Sequence, residues 1–217
     1  MAYYPIYQKY FTRFSEVPER IRKKENAKVR CYLRALCTFA LTTDTSYDSM
    51  CIQRNNQGAI HTIRMLIEAC FNAYAFLIYK DKDAFLNKFF KGEDFNKLTL
   101  NGKKLTTNTI KEYIEKDYPR ISRIYEDTNR YIHFGNFYCL GVEADLDEET
   151  KQILYSSQQE GLIGDYADMR HKENREWVWH IVEIINDILL EIMDRIVKEI
   201  EPAKEIAGLD KINLNDL

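Results

Sequence analysis

Residues 170–201 constrain the fold more than any other stretch. Trp177, Ile181, Ile184, Ile188, Ile192 and Ile196 recur there at helical spacing, and Val178, Val182, Ile185 and Leu189 widen the stripe. Glu176, Glu183, Asp187, Glu191, Asp194 and Lys198 take the polar side. So wide an apolar face cannot stay in water. It packs against two neighbours or contributes to an oligomer interface, which makes residues 177–196 the candidate surface for a homodimer.

Other segments carry the same period. Ser15 before Glu16, Val17 and Pro18 reads as a helix start, and the pattern predicts a helix over about 16–42. The polar run TTDTSYDS at 42–49 reads as a connection. A second long helix is expected over about 49–80, and a short one over 82–91 ending at Gly92. Asn101-Gly102, between short alternating segments, is a hairpin signal. Thr107 or Asn108 can cap a helix to about 117, and the next runs over about 119–134. Residues 3–14 are aromatic-rich and suit a short docking helix. In 136–163, NFYCLGVEA reads as a strand and KQILYSS as a strand or a helix. With 4 prolines and 8 glycines in 217 residues, little interrupts the helices. The expectation is one all-α domain, a bundle of about four to six helices with a small β-hairpin insertion. Its core spans 15–201, and 202–217 form a peripheral tail.

The candidate chemistry lies in two polar ladders. His61, Arg64, Glu68 and Asn72 share one face of the apolar segment IHTIRMLIEACFNAYAFLIYK. Tyr125, Asn129 and His133 form a second ladder on a later helix. Arg64 and Glu68 are an i, i+4 pair, read either as an ordinary intrahelical ion pair or as a guanidinium held for an anion. If the pair is sealed in the core, removing Arg64 strands Glu68 as a buried charge. His133 can exchange a proton near neutral pH, or it can simply pack or cap. His171 sits in a charged run, and His180 shares a face with Glu176, Glu183 and Asp187.

Charge is unevenly spread. Residues 9–34 carry nine Lys/Arg against three Asp/Glu, whereas residues 143–217 carry 19 acidic and 8 basic groups. The basic segment reads as a phosphate-binding face, as a partner for the acidic C-terminal part, or as a solvated face. The five cysteines, at 31, 37, 51, 70 and 139, include no CxxC pair, which predicts reduced thiols rather than a disulfide framework or zinc site. No metal or cofactor motif stands out. MAYYPIYQKYF lacks the charged start and apolar run of a secretory signal, and no run suits a membrane span, so a cytoplasmic chain is expected.

IRMLIEACFNAYAFL, the Asn-Gly hairpin and IYEDTNRYIHFG resemble a group of bacterial helical proteins within or close to the HEPN superfamily, over roughly residues 55–200. In that group a helix bearing R-x-x-x-E precedes one ending in a Y-x-x-x-N/S-x-x-x-H-like segment. The resemblance implies a helical bundle, often dimeric. Its members are either metal-independent ribonucleases or non-catalytic partners of nucleotidyltransferases and defence systems. Asn129 and His133 fit the Asn-x-x-x-His part of its catalytic pattern; if the chain is an enzyme, the two ladders make His133, Arg64 and Glu68 the expected catalytic residues and Asn129, Tyr125, Asn72 and His61 the expected ligand-positioning ones. Catalytic members carry Arg directly before the Asn. Here that position is Thr128, and Arg130 follows instead. Two functions therefore stand side by side: a metal-independent ribonuclease acting on RNA, and a non-catalytic helical module that binds a partner protein or a second copy.

Overall fold

The structure is a computed structural model that describes residues 5–53, 55–132, 148–149 and 172–201. Among the described residues, seven α-helices, three short 3-10 segments and one two-stranded antiparallel hairpin form the all-α fold that was expected. The α-helices are α1 (Ile6–Glu16), α2 (Ala27–Ile52), α3 (Asn56–Ile78), α4 (Lys82–Phe90), α5 (Thr107–Asp117), α6 (Pro119–Ile132) and α7 (Lys172–Ile200). The hairpin pairs β1 (Thr99–Leu100) with β2 (Lys103–Lys104). The readings for 136–163 and for the tail 202–217 fall outside the described residues.

Helix α3 is the hub. It packs against α2, α5, α6 and α7, while α1 packs against α2 and α7. Ile63, Leu66, Ile67, Cys70, Ala73, Ala75 and Phe76 of α3 are almost fully buried. A helix apolar on nearly every side is stable only when neighbours wrap it. The wide face of α7 finds its two neighbours within the chain. Val182, Ile185, Leu189, Ile192 and Met193 are buried, and Ile184 and Ile188 stay half-buried.

The aromatic N-terminal segment is part of this core rather than ahead of it. Ile6, Tyr10 and Phe14 of α1 are fully buried. Each such side chain stabilises by roughly 1.5–3 kcal/mol relative to exposure. Lys9–Glu183, Arg13–Asp187 and Arg20–Asp194 then tie α1 and the turn after it to α7. Glu201 accepts from the backbone N–H of Lys23 at 2.8 Å. Part of the basic segment therefore faces the acidic helix. Arg13–Asp187 and Arg20–Asp194 are largely exposed, so they fix alignment more than they add stability.

Two local expectations fail for physical reasons. No α-helix starts at 16, because the Ser15 hydroxyl bonds back to the Phe11 carbonyl within α1. Pro18 opens only a single 3-10 turn, Pro18–Arg20. The run TTDTSYDS is not a connection but the last third of α2. Its hydroxyls are absorbed by the helix: Thr42, Thr43, Thr45 and Ser46 each donate to the carbonyl four residues earlier. The chain breaks instead near Asn55, whose side chain caps α3 by accepting from the Gly58 N–H at 2.9 Å. Elsewhere the local signals hold. Asn101 and Gly102 take positive φ (51° and 80°) at the hairpin turn, and α4 gives way to Gly92 at φ 66°. Thr106, one residue earlier than expected, caps α5.

The α2 extension places two carboxylates inside the protein. Asp48 accepts from the backbone N–H groups of Ile6 and Tyr7, both at 3.2 Å, and so caps α1 from another helix. Asp44 is fully buried and accepts from the Asn186 amide at 2.9 Å. Its second oxygen and Asn186 Oδ1 have no hydrogen-bond partner among the described residues. Burial pushes the Asp44 pKa up to about 7, the Asn186 hydrogen bond opposes this, and the Asp48 charge adds to it. A neutral carboxyl also carries a donor, which Asn186 Oδ1 lacks.

Two predictions follow from these carboxylates. An unfolded Asp ionises near about 4, so between pH 4 and 7 the folded chain holds a proton that the unfolded chain has lost. The contribution of neutral Asp44 is complete below that range and is lost as pH rises through 7. Asp44→Asn removes the titration. Urea unfolding should show wild-type stability falling relative to the variant by up to about 4 kcal/mol between pH 4 and 8. Asp48→Ala should cost about 1–3 kcal/mol and expose the α1 segment to protease before the rest of the chain.

Candidate functional site

The Arg64–Glu68 ladder lies on the most exposed side of α3, beside the exposed Met65. His61 and Glu68 are exposed, and Arg64 and Asn72 are half-buried. The Arg64 side chain is 13% exposed and that of Glu68 53%. Arg64 thus lies at the edge of the core with its carboxylate partner in solvent. Stranding a buried charge is not what its removal would do.

Arg64 crosses from α3 to α6. Its Nε donates to Glu68 Oε1 at 3.1 Å. Its Nη1 donates to Asn129 Oδ1 and, at a longer 3.5 Å, to the Tyr125 carbonyl. The guanidinium carbon sits 3.3 Å from the centre of the Tyr125 ring, a close cation–π contact. The far side of this assembly is supported by Phe71, whose ring centre is 5.0 Å from that of Tyr125. Residues 64, 68, 125 and 129, from both ladders, therefore meet at one seam. His61 makes no such approach, being exposed at the other end of the strip. His133 and His171 lie outside the described residues.

Thr128 has a clear local role. It is fully buried, and its hydroxyl donates to the Tyr125 carbonyl at 2.8 Å. That position faces the core, so an arginine here would place a guanidinium among apolar side chains. His180 is engaged elsewhere. Its Nδ1 lies 2.9 Å from Glu183 Oε2, at the α1–α7 contact.

Beside the seam, between α3 and the start of α5, lies a half-open cleft of about 380 Å³. Glu68, Phe71 and Asn72 form the α3 wall, and Asp94, Asn96 and Thr107 lie among the residues opposite. Spacing alone did not signal this cleft, because half of its lining comes from the 94–106 connection. Asp44 and Asn186 also escaped the sequence reading. The signal was present: the buried steps Leu33, Cys37 and Ala40 of α2 continue to Asp44 and Asp48. Among the described residues, no group of three or more His, Cys, Asp or Glu could hold a metal ion, and no helix is long and apolar enough to cross a membrane. Cys31, Cys37 and Cys70 are free thiols, and burial pushes the Cys37 thiol up to about 12.

Comparison with family models, curated proteins and solved structures finds no match for this chain.

The seam predicts a modest loss on mutation. Arg64→Ala should cost about 1–2 kcal/mol, from the Asn129 hydrogen bond and the stacking on Tyr125. Arg64→Lys should not restore it, because a point charge cannot serve Glu68, Asn129 and the ring together. A double-mutant cycle between Arg64→Ala and Asn129→Ala in urea unfolding should give a coupling of about 0.5–1.5 kcal/mol. Additive losses would mean that the two side chains do not interact in solution.

Proposed function

We propose that the α3–α6 seam is the site of a HEPN-like domain that cleaves RNA without a metal ion. The observation carrying this reading is the convergence of Arg64 and Glu68 with Tyr125 and Asn129. The residues that match both halves of the resemblance thereby share one place. His133 follows Asn129 by four residues in sequence. In this reading its imidazole accepts the ribose 2′-OH proton while the 2′ oxygen attacks the adjacent phosphorus. The P–O5′ bond breaks, leaving a 2′,3′-cyclic phosphate, and solvent protonates the departing 5′ oxygen. Arg64 stabilises the charge gathering on the phosphate, and Glu68 and Asn129 hold its guanidinium in plane. A cytoplasmic setting suits such a substrate.

One observation favours the second reading, a non-catalytic module for a partner protein or a second copy. Arg64 is already engaged by Glu68, Asn129 and the Tyr125 ring, as a residue that locks two helices together would be.

The two readings separate in one assay with purified protein, single-stranded and structured RNA, and excess chelator. The ribonuclease reading expects cleavage that survives chelator, and it expects His133→Ala to lose roughly 10²–10⁴-fold with the fold intact. Arg64→Ala should fall on a similar scale, beyond what its stability loss explains. Cleavage abolished by chelator overturns this mechanism. No cleavage, with a stable dimer in sedimentation, favours the interaction module.

A further inference from the structure

The cleft next to the seam has a chemistry unlike that of a phosphate site. Glu68 and Asp94 are among its lining residues, and among the described residues no Lys or Arg is. Among the described lining residues an anion placed there meets two carboxylates and no cation. Asp94 has both oxygens engaged, by the Asn96 backbone N–H at 2.8 Å and by the Asn96 side-chain amide. It therefore contributes negative potential more than a binding contact.

The α3 wall is different. Glu68 uses Oε1 for Arg64, and its half-exposed carboxylate also borders the cleft. Asn72 lies one turn further on the same face. Its backbone carbonyl accepts from the Tyr32 hydroxyl at 2.9 Å, but no hydrogen bond to its side-chain amide is seen among the described residues. Carboxylate and amide stand side by side at i, i+4 spacing, about 5–6 Å apart at their Cβ atoms. Phe71 and Phe95 supply apolar surface on the two walls.

We infer that this cleft is a base-recognition pocket that selects guanine. The assignment rests on the ribonuclease reading for its substrate class and on the cleft's own chemistry for the base. Guanine presents two adjacent donors, N1–H and the 2-amino group, next to the acceptor O6. Glu68 accepts from the donors, and the Asn72 amide donates to O6. Adenine, with an amino donor but an acceptor ring nitrogen beside it, turns a lone pair toward the carboxylate. Uracil turns a carbonyl toward it, and cytosine offers one donor beside a lone pair. A planar, uncharged base fits a cavity of this volume with aromatic walls, while its phosphate stays outside at Arg64. Glu68 then acts at once on the base and on the orientation of Arg64.

The test is binding of GMP, AMP, CMP and UMP, with spermidine as a cationic control, followed by calorimetry and by chemical-shift changes in the protein. The expected result is GMP binding at least tenfold tighter than the other three nucleotides. Glu68→Gln and Asn72→Ala should each erase that preference. Thr107→Phe adds bulk from the opposite wall at an exposed first-turn position of α5, and it should block GMP without unfolding the chain. Equal binding of all four nucleotides, GMP binding unaffected by Thr107→Phe, or tighter binding of spermidine than of GMP overturns the assignment. The cleavage assay keeps the two proposals apart. RNA cleaved with no preference for guanosine removes this pocket and keeps the ribonuclease. Selective GMP binding without cleavage keeps the pocket and removes the ribonuclease.

Discussion

The architecture depends on the burial of α3. Its Ala, Ile, Leu, Phe and Cys positions face in almost every direction, so four helices must surround it to keep that surface from water. Once α2, α5, α6 and α7 are in place, only a narrow strip of α3 remains open. Among the described residues that strip carries His61, Arg64, Glu68 and Asn72, with Met65 the one large apolar side chain exposed beside them. The ladder is thus a consequence of wrapping as much as a device for chemistry. What raises it above an ordinary solvated stripe is Arg64, which turns back across α6 instead of reaching outward.

Elements with one dominant signal were legible in the sequence. The period of α7, the Asn-Gly turn and the capped start of α5 all appear within a residue or two of their expected places. The end of α2 was not legible. Thr, Ser and Asp favour turns because their side chains compete for backbone partners, yet the same hydroxyls can bond to the carbonyl four residues back and leave the helix intact. Tertiary burial of Asp44, Tyr47 and Asp48 decides between the two outcomes, and propensity carries no information about it. The candidate site divides in the same way. Spacing identified residues 64, 68, 72, 125 and 129 as two faces. The contact between those faces, and the cleft formed with the 94–106 connection, depend on packing between segments distant in sequence.

Polar groups in the core follow a consistent logic. Asp48 serves the open N–H groups of α1, which lacks a capping side chain of its own because Pro5 precedes it. A neighbouring helix supplies the acceptor that local sequence does not. Asp44 and Asn186 hold α2 and α7 in register through a contact that leaves two oxygens short of donors while the acid is ionised. A hydrophobic pair would pack there without penalty but would tolerate a shift along the helix axes. A polar pair does not, since any shift leaves both partners unsatisfied.

Thr128 is another polar side chain held inside the core. Its place before Asn129 looks in sequence like the loss of a catalytic arginine, but its side chain points into the core and supports the Tyr125 carbonyl from behind. That carbonyl also accepts from Arg64. Thr128 and Arg64 therefore hold one peptide oxygen from opposite sides, one from within α6 and one from α3. The guanidinium at the seam comes from α3, while position 128 of α6 holds a buried threonine. An arginine on α3 is held by its own helix through Glu68 and by α6 through Asn129 and the Tyr125 ring, so its orientation depends on how the two helices pack.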